Sequence, residues 1–139
     1  MDLNKLYILP EDVVSIIELY IPSSSLIFVN KNYYEKYHHL IKYLIPKNQF
    51  ENYIRNIIRR DYDFIFLRIL NDNFRKWLNL KQYVYKNIMY KNYIYFLSDY
   101  IIHNSSTKCR NVMNEFLKEH GLCQNRHKKN SYIHIRWKT

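Results

Sequence analysis

A single glycine, Gly121, serves the whole 139-residue chain, and alanine is absent. Glycine is what lets a backbone approach a phosphate closely, so a P-loop and a dinucleotide-binding turn are both excluded. The glycine-flanked serine elbow of the α/β-hydrolases is excluded with them. No two histidines bracket a glutamate in the zinc-protease pattern, and no EF-hand loop is present. Asp61 and Asp63 stand two residues apart, which on a helix turns them to different sides, so they read as helix caps rather than an acid/base pair. No residue reads as catalytic, and the chain is expected to be non-enzymatic and to need no cofactor.

Apolar periodicity supplies the elements. Pro10 suits a first helical turn, Glu11 and Asp12 complement the helix dipole, and Val13, Ile17, Tyr20 and Ile21 repeat at helical spacing. Ser23, Ser24 or Ser25 is expected to cap a second helical run, from Leu26 through Tyr34 and Ile41 to Pro46. Asn48 and Glu51 have capping-box spacing ahead of Ile54, Ile57 and Ile58. Asp61 or Asp63 should restart a helix carrying Phe64, Leu67 and Leu70, and Asp72 should cap a further turn with Phe74 and Trp77. Residues 85–102 are expected to form one long central helix, apolar on more than one face. Ser105 or Ser106 then caps the cleanest stripe, Cys109, Val112, Met113, Phe116 and Leu117, which Gly121 should end in a left-handed cap. Tyr132 to Trp137 alternate with period two, as in a short strand or extended arm.

Within this series the stretch LPEDVVSIIELYIPSSSLIFVNKNYYEKYH, residues 9–38, resembles the F-box motif. Leu9-Pro10 matches the family's Leu-Pro, Asp12 its acidic position, Val13 and Ile17 its aliphatic positions, and Lys31 a common basic one. Two residues depart from the pattern: Tyr33 stands where the family carries Trp or Phe, and Glu18 where it carries a large apolar residue. The spacing from Leu9 to Val29 is also about one helical turn short. The resemblance implies docking on a Skp1-like adaptor of a cullin ubiquitin ligase, with Leu9, Pro10, Val13, Ile17 and Val29 as the partner-binding residues. The competing reading is a plain helix pair that contributes to the core.

Charge divides the chain. Residues 1–30 hold one basic and four acidic residues, residues 31–107 thirteen and six, and residues 108–139 eight and two. Arg126, Lys128, Lys129, Arg136 and Lys138, interleaved with Tyr132 and Trp137, suit single-stranded nucleic acid, because cations neutralise phosphates while rings stack on bases. Arg55, Arg59 and Arg60 add a second basic patch. The alternative is a solvated basic face, since abundant Asn, Lys, Ile and Tyr point to an A/T-rich genome. Cys109, His120, Cys123 and His127 offer four soft ligands for zinc, against a reading of Cys109 as a small core residue. The two cysteines do not make a disulfide framework, which favours a reducing compartment. No secretory leader is expected, and the longest apolar run, five residues from Tyr93 to Leu97, is far too short to span a membrane.

Across nearly its whole length the chain also resembles the short, basic proteins of giant nucleocytoplasmic DNA viruses, through VNKNYYEKYH, YIRNIIRRD, FRKWL, GLCQNRHKKN and HIRW. That resemblance implies a viral protein acting inside an infected cell, in host cytoplasm or nucleus, or carried in the virion. The expected architecture is all-α: a single helical domain with F-box-like helices in residues 1–46, a helical bundle packed on them in 47–124, and a basic, extended or β tail in 125–139. The leading expected function is a viral protein-interaction adaptor. A basic nucleic-acid-binding or virion-associated structural protein is the alternative.

Overall fold

The structure, a computed structural model, describes residues 8–122 and the backbone of residues 131–132. It is mostly helical, as expected, and forms two compact units, Met1–Phe50 and Glu51–Thr139.

The first unit runs α1 (Glu11–Tyr20), α2 (Ser23–Leu26), α3 (Lys31–Tyr37), a 3-10 turn and α4 (Ile41–Leu44). Pro10 precedes α1 with φ −55°, and both Val13 and Val14 donate their N–H groups to its carbonyl. The expected serine cap of α2 is not formed. Pro22 holds the cap position and Ser23 is already helical. The run from Leu26 to Pro46 is also not one helix, because Asn30 interrupts it in extended conformation and its Oδ1 accepts the Tyr33 N–H at 2.9 Å. Leu26, Ile27, Tyr34 and Ile41 are buried.

The second unit contains α5 (Phe50–Arg59, whose first residue closes the first unit), α6 (Asp63–Asn79), strands β1 (Lys81–Tyr85) and β2 (Ile88–Asn92), α7 (Tyr93–His103), α8 (Thr107–Glu119) and β3 (Ser131–Tyr132). Phe66, Ile69, Leu70, Phe74 and Trp77 form the buried stripe of α6, and Cys109, Met113, Phe116 and Leu117 that of α8. Complete burial of side chains such as Phe66, Leu70 and Leu97 contributes about 1.5–3 kcal/mol each. Two capping expectations fail here. Asn48 lies inside a 3-10 turn that leads straight into α5, and Asp72 sits exposed in the middle of an uninterrupted α6.

The largest correction falls on residues 85–102. Instead of one long helix, β1 and β2 pair antiparallel, with Tyr85 opposite Ile88 and Tyr83 opposite Tyr90, and only α7 is helical. The connection Lys86-Asn87 has φ values of +46° and +63°, the positive pair that a type I′ hairpin turn requires. Tyr83 and Tyr85 both pack on Phe96 of α7, with ring centroids 4.8 Å away in each case. Asn92 ends the hairpin and starts α7, accepting the Tyr95 N–H at 3.1 Å. β3 joins the other edge of β2, with Ser131 opposite Met89 and Tyr132 opposite Ile88. Of the strand or extended arm expected over Tyr132 to Trp137, only Tyr132 is described, at the end of β3, and residues 133–137 lie outside the described residues.

Glycine scarcity leaves its mark at the helix ends. Gly121 follows α8 at φ +67°, with Leu122 N–H bonded to Leu117 O at 2.8 Å and Gly121 N–H to Lys118 O at 3.1 Å, the paired bonds of a Schellman motif. The same pair closes α5 through Asp61 (φ +55°) and α7 through Ser105 (φ +54°). Non-glycine residues in the left-handed region carry about 1–2 kcal/mol of steric cost. Ser105→Gly should therefore raise stability in denaturant melts by about 0.5–1 kcal/mol, after the extra chain entropy of glycine is subtracted. Gly121→Val should lower it by about 1–2 kcal/mol, although nothing lies within 4 Å of the added Cβ position, because the cost is conformational.

Candidate functional site

The residues expected to meet a partner lie at the start of the first unit. Leu9, Pro10 and Val13 are exposed, while Ile17 and Val29 are half-buried. None of the residues of α1 is buried. Ile16 and Leu19, which carry no F-box signature in the sequence, are 57% and 84% exposed, and Ile8, Tyr20 and Phe28 are exposed as well. The N-terminal helix thus leaves Val13, Ile16, Leu19 and Tyr20 exposed behind an acidic first turn.

The two departures from the F-box pattern meet each other. The Tyr33 hydroxyl donates to the Glu18 carboxylate, tying α1 to α3.

The two zinc candidates among the described residues do not come together. Cys109 and His120 lie at opposite ends of α8, roughly 16 Å apart along the helix axis, beyond the reach of one ion. The His120 ring instead stacks on Phe116 at 4.3 Å, with Nδ1 2.8 Å from the Phe116 carbonyl. Cys109 is fully buried, and its thiol is pushed up to about 12 by burial first and by the Asp61 carboxylate second, so it stays protonated and inert. Cys123 and His127 lie outside the described residues. Among the described residues, no group of three or more His, Cys, Asp or Glu converges on a metal-sized space. Of the basic tail, Tyr132 is described at its backbone only, and Arg126, Lys128, Lys129, Arg136, Trp137 and Lys138 lie outside the described residues.

Asp61 has a second role that the sequence did not indicate. Beyond closing α5, its carboxylate accepts the Cys109 N–H at 2.8 Å and the Lys108 N–H at 3.1 Å, capping α8 from 47 residues away. Ser106 occupies the position where a cap side chain is expected, but its hydroxyl donates to the Ile58 carbonyl of α5. Each residue thus serves the other's helix.

No family model, curated protein or solved structure matches the chain. Among the described residues, no helix is long and apolar enough to cross a membrane.

Partial burial alone would raise the Asp61 carboxyl, but the Cys109 and Lys108 N–H groups outweigh it and hold the carboxyl below its usual range. A depressed carboxyl contributes stability above its unfolded value, about 3.9, and loses it as the pH falls through the lower folded value. Asp61→Asn keeps an acceptor and tolerates the left-handed backbone but removes the charge. It should cost about 1 kcal/mol at neutral pH, and the gap to wild type should close in acid. Melting both proteins across a pH series checks this, and a constant gap would exclude a charged cap.

Proposed function

We propose that the protein is a non-enzymatic interaction adaptor whose N-terminal unit docks on a Skp1-type protein and so recruits a cullin ubiquitin ligase inside an infected cell. The observation that carries the reading is that no residue of α1 is fully buried and that Val13, Ile16 and Leu19 are exposed on it, following the exposed Leu9 of the Leu-Pro pair. Exposed apolar side chains gathered on one short helix are costly to leave in water, and they are the usual mark of a protein–protein interface. The second unit then acts as the recruiting module, consistent with its different, basic character.

Because Leu9 and Val13 are exposed, replacing both by Ala should remove binding without lowering the melting temperature. The measurement is a pull-down with purified Skp1-type adaptor at micromolar concentration, beside a thermal melt of each variant. Wild type is expected to bind and the double variant to lose at least tenfold in affinity, corresponding to about 1.4 kcal/mol. Absence of binding by wild type would refute the adaptor reading even with every helix in place.

A further inference from the structure

We propose that the outer face of α5 is a binding surface for double-stranded DNA, with the helix lying in the major groove, a function separate from the adaptor reading of the first unit. Asn52, Arg55, Asn56 and Arg59 recur at helical spacing, so all four lie on one side of α5. Arg60 continues the row four residues after Asn56, and its N–H still donates to the Asn56 carbonyl at 3.0 Å. Ile54, Ile57 and Ile58 take the opposite side and are buried, which turns the arginine and asparagine row outward. Asn52, Asn56, Arg59 and Arg60 are exposed, and Arg55 is half-buried.

The row itself carries no carboxylate. Among the described residues, neither Arg59 nor Arg60 makes an ion pair. Glu51 lies off the row and is engaged by the Tyr83 hydroxyl at 2.9 Å and by Arg55 at 3.7 Å. Asp61 accepts the Lys108 and Cys109 N–H groups, and Asp63 sits in the first turn of α6, where the helix dipole favours it. The bond from Lys108 to Asp61, at 3.1 Å, also brings one more exposed cation to the Arg60 end of the row. On α6, by contrast, exposed Asp72 stands between Arg68 and Arg75 on one side of the helix, where it would repel a polyanion.

The side chains of the row favour a duplex over a single strand or an acidic peptide. The major groove admits an α-helix, and there Arg pairs with the guanine edge and Asn with the adenine edge. Arg59 Nη2 donates to Asn56 Oδ1 at 2.7 Å and the Arg55 guanidinium to Asn52 Oδ1, which orients both forks before any ligand arrives. Asn56 Oδ1 keeps a second lone pair, and its amide nitrogen keeps its donors, for a base edge. Arg60 and Lys108, at the end of the helix, are placed to meet the phosphates that flank the groove. No aromatic ring belongs to the row, so the bases of a single strand find nothing there to stack on. An acidic peptide would use the charges and leave the asparagine amides idle.

The test selects duplexes from a randomised pool with the full wild-type chain, then follows the selected duplex by fluorescence anisotropy across salt concentrations. Labelled oligothymidylate is the single-stranded comparison. Wild type is expected to enrich particular sequences, and to bind the selected duplex more tightly than the single strand and with a clear salt dependence. Arg60→Gln with Lys108→Gln should lower the slope of log affinity against log salt by roughly two. Asn56→Ala with Arg59→Gln should lose about tenfold in affinity for the selected duplex and keep less of its preference over other sequences. Arg68→Gln with Arg75→Gln removes the same charge from α6 and should bind as wild type. All six side chains are exposed, so thermal melts should be unchanged. The proposal is overturned if wild type enriches no sequence, shows no salt-dependent duplex binding, or binds oligothymidylate as tightly as the duplex. It is equally overturned if the α5 variants bind as wild type, or if the α6 variant loses as much as they do.

Discussion

Two hydrogen bonds from backbone N–H groups of α8 to the Asp61 carboxylate hold together elements far apart in the chain. A helix start leaves its first N–H groups without partners, and burying one side of α8 without satisfying them would cost about 1–3 kcal/mol for each buried group. Asp61 satisfies two of them from the end of α5, and Ser106 returns a bond to the Ile58 carbonyl. Asp61 also begins the step into α6, where the Asp63 N–H meets its carbonyl at 3.1 Å. One residue in left-handed conformation thus fixes the end of α5, the beginning of α6 and the beginning of α8. From that junction the stripes of α6 and α8 face each other, bringing Phe74 to 4.8 Å from Phe116.

The shortage of glycine explains why this junction takes the form it does. Left-handed positions are needed wherever a helix ends in a Schellman turn or a two-residue hairpin reverses, and the chain fills them with Asp61, Ser105, Lys86 and Asn87. Each of these side chains bears a cost that glycine would avoid, but a side chain can also act. Asp61 uses its carboxylate as a remote cap, which glycine cannot do. Lys86 keeps a cation at the tip of the hairpin. The aromatic cluster below depends on that hairpin: Tyr83, Tyr85 and Tyr90 close over Phe96, with Tyr93 fully buried among them and its phenol pushed far up by burial.

Legibility in the sequence followed the range of the interactions. The α8 stripe and its Gly121 cap were readable because both are local, and Leu122 folds back on Leu117 as the motif requires. Asp61 was readable as a cap, but not which helix it caps, since that partner is 47 residues distant. The hairpin is not legible because Ile88, Met89 and Tyr90 suit helix and strand alike, and because Lys86-Asn87 lacks the glycine that usually marks such a turn. Asn30 and Asn92 cap α3 and α7. Among 16 asparagines their position before Tyr-containing helical runs did not stand out. In the candidate site, Leu9 and Val13 were legible through the Leu-Pro motif, whereas Ile16 and Leu19 read as ordinary helix residues, and only the fold leaves them exposed.

Amide hydrogen exchange at Lys108 and Cys109 tests the junction most directly, because these two N–H groups have no acceptor within α8 itself. In wild type both should exchange slowly, close to amides in the interior of the helix. Asp61→Ala should bring both toward the exchange rate of an uncapped helix start while Met113 and Phe116 stay protected. Rapid exchange of Lys108 and Cys109 in wild type, or no change on removing the carboxylate, would contradict the role assigned to Asp61.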